Sequence, residues 1–265
     1  MYSPIQLASR YLQYWLTASN GKGHGVHSPF VFEFITRVLN GEGDSAVYSQ
    51  MEQLRRQLRH DHREVVVEDF GAGSRVIGSK QRSVSAIARS SLKPAKYSQL
   101  LHRIVKYYRP GSLLEIGTSL GITTAYMAKA APGSTVITME GANAIADLAD
   151  ENFKKLGVTN VEIIRGNFDD TLEPLLQKTA PPDLAFIDGN HRFEPTTRYF
   201  RQVLERAHPY TIIILDDIYW SREMEQAWKW VKEHPAVRLT IDLFAIGIVV
   251  FRPEILHPQH FRIRY

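Results

Sequence analysis

Residues 112–128 read SLLEIGTSLGITTAYMA, and the fold turns on this stretch. Leu113, Leu114 and Ile116 form a short apolar run, Gly117 to Gly121 follow as a turn of small residues, and Ile122 to Met127 resume with helix-like apolar spacing. The pattern predicts a strand, a tight turn and a helix. In that arrangement the free backbone N–H groups of a helix N-terminus face whatever binds above the strand, and the two glycines let a ligand approach the backbone. The stretch reads as a cradle for a nucleotide-type cofactor.

A second segment competes with it. VVVEDFGAGS at 65–74 also resembles a strand feeding a glycine-rich turn. A nucleotide fold needs a crossover helix and then a second apolar strand ending in an acid that can hold ribose hydroxyls. After Gly73 the chain is polar and serine-rich, with no such strand; after Gly121 come a helix, the Pro132-Gly133 break and TVITME, ending at Glu140. The cradle at 112–128 is therefore the functional one.

Downstream the alternation is regular. Helix Ala144–Leu156 precedes strand Val161–Arg165, helix Thr171–Lys178 precedes strand Leu184–Asp188, and helix Pro195–Ala207 precedes strand Thr211–Asp216. Helix Arg222–His234 then leads to strands Arg238–Leu243 and Ile246–Phe251. Strands alternating with helices predict an α/β fold with a mostly parallel sheet covered on both faces. The last two strands are joined by too few residues for a crossover, so they must form an antiparallel hairpin.

Upstream, Leu7, Tyr11, Leu12, Trp15 and Leu16 lie on one face of a helix over residues 2–18. A glycine-rich loop carrying His24 and His27 follows, closed by Ser28-Pro29 as the start signal of a helix from Phe30 to Leu39. Two histidines three apart could bind metal, contact substrate or serve only as structural hydrogen-bonders. Tyr48–His60 reads as another amphipathic helix. The expected boundary lies near Lys93-Pro94, giving a mainly helical region 1–93 and a cofactor domain 94–265.

Composition narrows the class further. In 265 residues with 44% hydrophobic content there is material for one substantial core. No apolar run is long enough to span a membrane, and the first fifteen residues lack a basic-then-apolar signal layout, so the expectation is a cytoplasmic protein with no membrane partner. With no cysteine, disulfides, thiolate metal sites and a cysteine nucleophile are excluded. Net charge is +4 overall, but residues 1–105 carry +6 and residues 106–265 carry −2. The basic front half reads as a solvated helical surface rather than a nucleic-acid face, because no basic run is interleaved with aromatics.

The order of elements, the terminal hairpin and the LLEIGTSLG turn resemble the class I S-adenosylmethionine (SAM)-dependent methyltransferases, in particular the catechol and caffeoyl-CoA type O-methyltransferases. The resemblance runs from about Lys96 to the C-terminus; the first ninety residues resemble only a group of bacterial methyltransferases of unknown substrate. It implies a Rossmann-like, seven-stranded, mostly parallel sheet with an antiparallel C-terminal hairpin, and a helical N-terminal extension. Ser119 stands where a dinucleotide fold carries its second glycine, a departure usual in O-methyltransferases that favours SAM over NAD. Residue by residue, the resemblance implies that Glu115 and Gly117 lie beside the methionine moiety, that Gly121 admits the helix close to the strand, and that Thr123 binds the methionine carboxylate, with Thr118, Ser119 and Gly121 of the turn also counted as cofactor-binding. It gives Glu140 to the ribose hydroxyls, Asn167 and Phe168 to the adenine, and Lys96 to the segment that contacts SAM ahead of the first strand.

The same resemblance places Asp188, Asp216 and Asp217 where metal-dependent members hold Mg²⁺ or another divalent cation with Asp, Asp and Asn. An arrangement without an ion, in which Asp188 faces the sulfonium and Asp217 caps the next helix, fits the sequence equally well. His191 stands where those members place a lysine that takes the acceptor's proton; an imidazole can serve as general base there, or be structural. His24, His27, Asp69 and Trp220 are the expected substrate-side residues. The expected activity is O-methylation of a small-molecule hydroxyl, and the reading admits a homodimer. The rivals are an RNA-binding methyltransferase-fold protein and an NAD-dependent dehydrogenase.

Overall fold

The computed structural model describes residues 1–69 and 78–265, with backbone alone at 68, 69 and 78–80. Along the chain run α1 (Pro4–Thr17), α2 (Pro29–Glu33) continuing into a π-helical turn (Phe34–Leu39), α3 (Ser45–Arg59), β1 (Glu64–Asp69), β2 (Gly78–Ser83), α4 (Val84–Ser91) and α5 (Ala95–Tyr108). Then come β3 (Ser112–Ile116), α6 (Ile122–Ala130), β4 (Thr135–Glu140), α7 (Asn143–Leu156), β5 (Val161–Arg165) and α8 (Phe168–Lys178). The chain ends with β6 (Leu184–Ile187), α9 (Phe193–Glu205), β7 (Ile212–Asp216), α10 (Arg222–Lys232), β8 (Leu239–Asp242), β9 (Ile246–Val250) and β10 (Gln259–Arg262). This is the expected α/β, Rossmann-like alternation.

Two compact units divide the chain, residues 42–177 and residues 1–41 with 178–265. The division does not follow the boundary expected near Lys93-Pro94. In the unit 42–177, β3, β4 and β5 lie side by side and parallel, in that order. α6 is apolar on nearly every side, burying Ile122, Ala125, Tyr126 and Met127, as a helix packed all round must. β1 and β2 pair as a separate antiparallel ribbon, so residues 65–69 of the rejected cradle segment belong to a ribbon instead of the parallel strands.

In the other unit the strand order is β10-β8-β9-β7-β6. β6 and β7 are parallel; β8 and β9 form the expected antiparallel hairpin, turned at Phe244, whose φ is 68° and whose N–H donates to Asp242 Oδ1 (2.9 Å). β9 pairs on its other edge with β7. Gly247 is required in β9, since a Cβ there would meet the Trp228 ring at 2.6 Å. β10 is an additional strand, parallel to β8, that the sequence reading left out.

α1 finds its docking surface in this unit. Ser3 and Gln6 close a capping box at its start, with Pro4 in the first turn. Tyr14 donates to the carbonyl of Ile263, Ser19 N–H donates to Arg262 O (2.8 Å), and Arg264 Nε donates to Trp15 O (2.9 Å). The first helix and the last strand are thus tied together across the length of the sequence. Ser28 stands at the start of α2 with Pro29 after it, but its hydroxyl makes no capping bond. The helix expected over Phe30–Leu39 widens into the π turn, where Asn40 N–H reaches the carbonyl of Ile35.

Candidate active site

The cradle is built by backbone geometry. Gly117 (φ 109°), Ser119 (φ 50°) and Gly121 (φ 75°) all take left-handed conformations, which fold the chain tightly between β3 and α6. Gly117 and Thr118 N–H both donate to the carbonyl of Met139 (3.0 Å each), pinning the turn to the end of β4. A side chain at Gly121 has no room: a Cβ would come within 2.7 Å of Phe153 Cε1. Asn152 Nδ2 donates to Leu120 O (2.9 Å) and holds the turn from α7.

Glu140 closes this arrangement. Its Oε2 accepts from Ser119 N–H (2.8 Å) and its Oε1 from Ala142 N–H (3.0 Å), so the carboxylate is fixed by backbone donors and keeps lone pairs for a vicinal diol. Burial raises its pKa against the pull of those N–H groups. Ser119 also meets Ser91 of α4, hydroxyl to hydroxyl, at 2.9 Å.

Glu115 lies in β3 opposite Thr138 of β4 and is fully buried. Its Oε2 accepts from the hydroxyls of Thr124 and Thr138 (2.6 Å from Thr138), and Thr118 donates in turn to Thr138 (2.7 Å). Its Oε1 is buried with no hydrogen-bond partner among the described residues. Burial pushes this carboxyl up to about 7, against the two hydroxyl donors and the more distant Lys93. A cationic ligand group reaching Oε1 would satisfy it and restore the ionised form. Thr124 and Thr138, which complete this network, are not among the residues singled out in the sequence; the β3–β4 register brings Thr138 to Glu115, and the packing of α6 brings Thr124. Thr123 sits beside them, half-buried on α6.

Asn167 and Phe168 begin α8. Asn167 accepts from Asp169 N–H with its Oδ1 (3.2 Å) and from the Thr171 hydroxyl with its carbonyl (2.8 Å); Phe168 is half-buried. Lys96, in the first turn of α5, is exposed, with its ammonium pKa lowered by partial desolvation.

In the other unit the strand ends carry a second group of side chains. β6 and β7 pair with Ile187 opposite Leu215, which brings the next residues, Asp188 and Asp216, level with each other. Asn190, with φ 55°, reverses the chain and returns His191 to Asp188, Nε2 facing Oδ1 at 3.6 Å. One ligand atom from each of Asp188, His191 and Asp216 lies within 4.8 Å of the others. Two carboxylates and an imidazole suit Mn²⁺, Fe²⁺ or Zn²⁺ as well as Mg²⁺. The structure therefore groups His191 with Asp188 and Asp216. Asp217 is not in this group; it enters a left-handed turn (φ 52°) whose carbonyl accepts from Trp220 N–H (2.8 Å). Trp220 is 37% exposed, and His24 and His27 are exposed on their loop. The Asp69 side chain and residues 70–74 lie outside the described residues.

Comparison with known proteins places these features in a family context. Residues 114–218 match a family described as a methyltransferase domain. A catechol O-methyltransferase of Niastella koreensis is 34% identical over 126 residues, a match that spans 46% of this chain and 55% of that protein, about half its length. A methyltransferase of Podospora anserina, solved with S-adenosylhomocysteine, superposes with a TM-score of 0.60 at 14% identity, covering 95% of this chain and 98% of its own. The O-methyltransferase of Bacillus cereus, also solved with S-adenosylhomocysteine, gives 0.56 at 20% identity over 83% of this chain and 97% of its own. At these identities the solved structures bear on fold alone. In its fold and in the sequence of residues 114–218, the chain resembles the class I SAM-dependent methyltransferases, on the O-methyltransferase side of that group.

Proposed function

We propose that this protein transfers a methyl group from SAM to a hydroxyl oxygen of a small-molecule acceptor. The observation that carries the reading is Glu140, held by the N–H groups of Ser119 and Ala142 at the turn that matches a methyltransferase domain. That cradle would hold the ribose diol on Glu140, and the unpartnered Oε1 of Glu115 suits the ammonium of a methionine moiety. Bound SAM supplies an electrophilic methyl on a sulfonium. The chain's task is then to position an acceptor oxygen in line and to take its proton. His191 would take that proton, oriented by Asp188 at 3.6 Å.

A second role for His191 is favoured by its place in the group with Asp188 and Asp216. There it would be the third ligand of a divalent cation that orients the acceptor's oxygens, and the proton would leave to solvent. The curated relative is described as a catechol O-methyltransferase, so vicinal diols are the first acceptors to offer. The test is calorimetry with SAM and NAD, followed by methyl transfer to a diol panel with and without EDTA. SAM binding with no NAD binding supports the reading, and the reverse overturns it. Full activity after chelation removes the metal role and leaves the base. For the described residues, no helix is long and apolar enough to cross a membrane.

A further inference from the structure

The unit 1–41 with 178–265 also holds a cavity of about 320 Å³ walled by α1, α10 and β10. Its charge is lopsided: Arg10, Arg222, Lys229, Lys232 and Arg262 line it, against the single carboxylate of Glu225. Tracing the pairs shows which cations are already neutralised. Glu225 takes Arg10 at 3.3 Å and the Tyr2 hydroxyl at 2.6 Å. Arg262 faces Asp242 at 3.4 Å, and Asp242 also accepts from Tyr219 (2.6 Å). Lys229 faces Glu233 at 3.8 Å on the exposed side.

Arg222 and Lys232 remain, their side chains making no hydrogen bond or ion pair with any described residue. Lys232 is half-buried, and burial together with Arg262 depresses its pKa while Asp242 opposes them. Trp228, in the same wall, is buried with an indole N–H that has no acceptor among the described residues. A partly desolvated ammonium and a buried donor without partners are costly unless a ligand supplies the missing acceptors. Two surplus positive charges match a dianion; Arg222 and Lys232 stand at the two ends of α10, about 15 Å apart along its axis, so a diphosphate reached from both sides suits them better than a single carboxylate. The volume is that of a small-molecule site.

We propose that this cavity binds the phosphate or diphosphate group of a small molecule, with Arg222 and Lys232 as its charge partners. The proposal does not rest on the methyl-transfer reading. The full chain is titrated by calorimetry with pyrophosphate and with inorganic phosphate at constant ionic strength, alongside Lys232→Met and Arg222→Gln. The expected result is saturable binding, tighter for pyrophosphate and weakened about tenfold or more in each variant, while S-adenosylhomocysteine binds all three proteins alike. Equal pyrophosphate affinity in parent and variants overturns it, as does the lack of saturation up to millimolar ligand. Preferential, length-dependent binding of single-stranded RNA would also overturn it, by making the surface a nucleic-acid contact.

Discussion

Glu140 at the end of β4 and Asp216 at the end of β7 both close a parallel strand, yet they are held in opposite ways. Backbone N–H groups of its own turn region fix Glu140, and its partners Ser119 and Ala142 follow directly from the fold of residues 112–142. Asp216 belongs instead to a group of side chains from separated segments, with Asp188 and His191. A site made of backbone is rigid and indifferent to most neighbouring side chains. One made of clustered carboxylates owes its charge balance to a proton or a cation, and is correspondingly sensitive to substitution.

The largest effect that separates these two modes is expected from His191→Ala. Turnover should fall on the order of 10²–10⁴-fold with S-adenosylhomocysteine affinity near that of the parent; a parallel loss of both would erase the distinction. In the metal-ligand role the same variant also loses Mn²⁺ affinity, measured by titration without substrate. Next comes Glu140→Ala, expected to weaken S-adenosylhomocysteine binding about a hundredfold, as the loss of a bidentate charged acceptor implies. Unaltered affinity by calorimetry would remove Glu140 from the cradle.

Glu115 sharpens the comparison through pH. Its folded pKa of about 7 lies above its ordinary 4.5, so the folded state keeps a proton that the unfolded chain releases. This contribution to stability is complete below about pH 4.5 and is lost as pH rises through 7, by about 3 kcal/mol at most. Glu140 shifts in the same direction and adds to the slope. Denaturant unfolding at pH 5 and pH 8 should show the loss in the parent and a smaller one in Glu115→Gln; parallel pH curves would contradict it. The smallest effect belongs to Gly121→Ala, where positive φ and the close approach to Phe153 should cost about 1–3 kcal/mol, read as a lower unfolding midpoint.

The strands β3 to β9 were legible because each is a short apolar run bounded by turn residues, and periodicity is a local property. β10 was not, because Gln259–Arg262 carries no such run and becomes a strand only through β8. Nor was the docking of α1: its apolar stripe announced that something must cover it, while the partner, near Ile263, lies at the other end of the chain. Within the candidate site, Asp188, His191 and Asp216 could each be picked out one by one. Their grouping without Asp217 follows from the β6–β7 register and the left-handed residues at 190 and 217, which sequence spacing does not report.

What the amino-acid sequence determined by itself was the alternation of elements and the cradle at Ser112–Ala128, because strand, turn, helix and the following acid are consecutive and rest on local backbone chemistry. What only the tertiary structure decided was the company each side chain keeps. Thr138 beside Glu115, His191 beside Asp188, and Lys232 in the wall of its cavity arise from strand register and helix docking, which join residues distant in the chain.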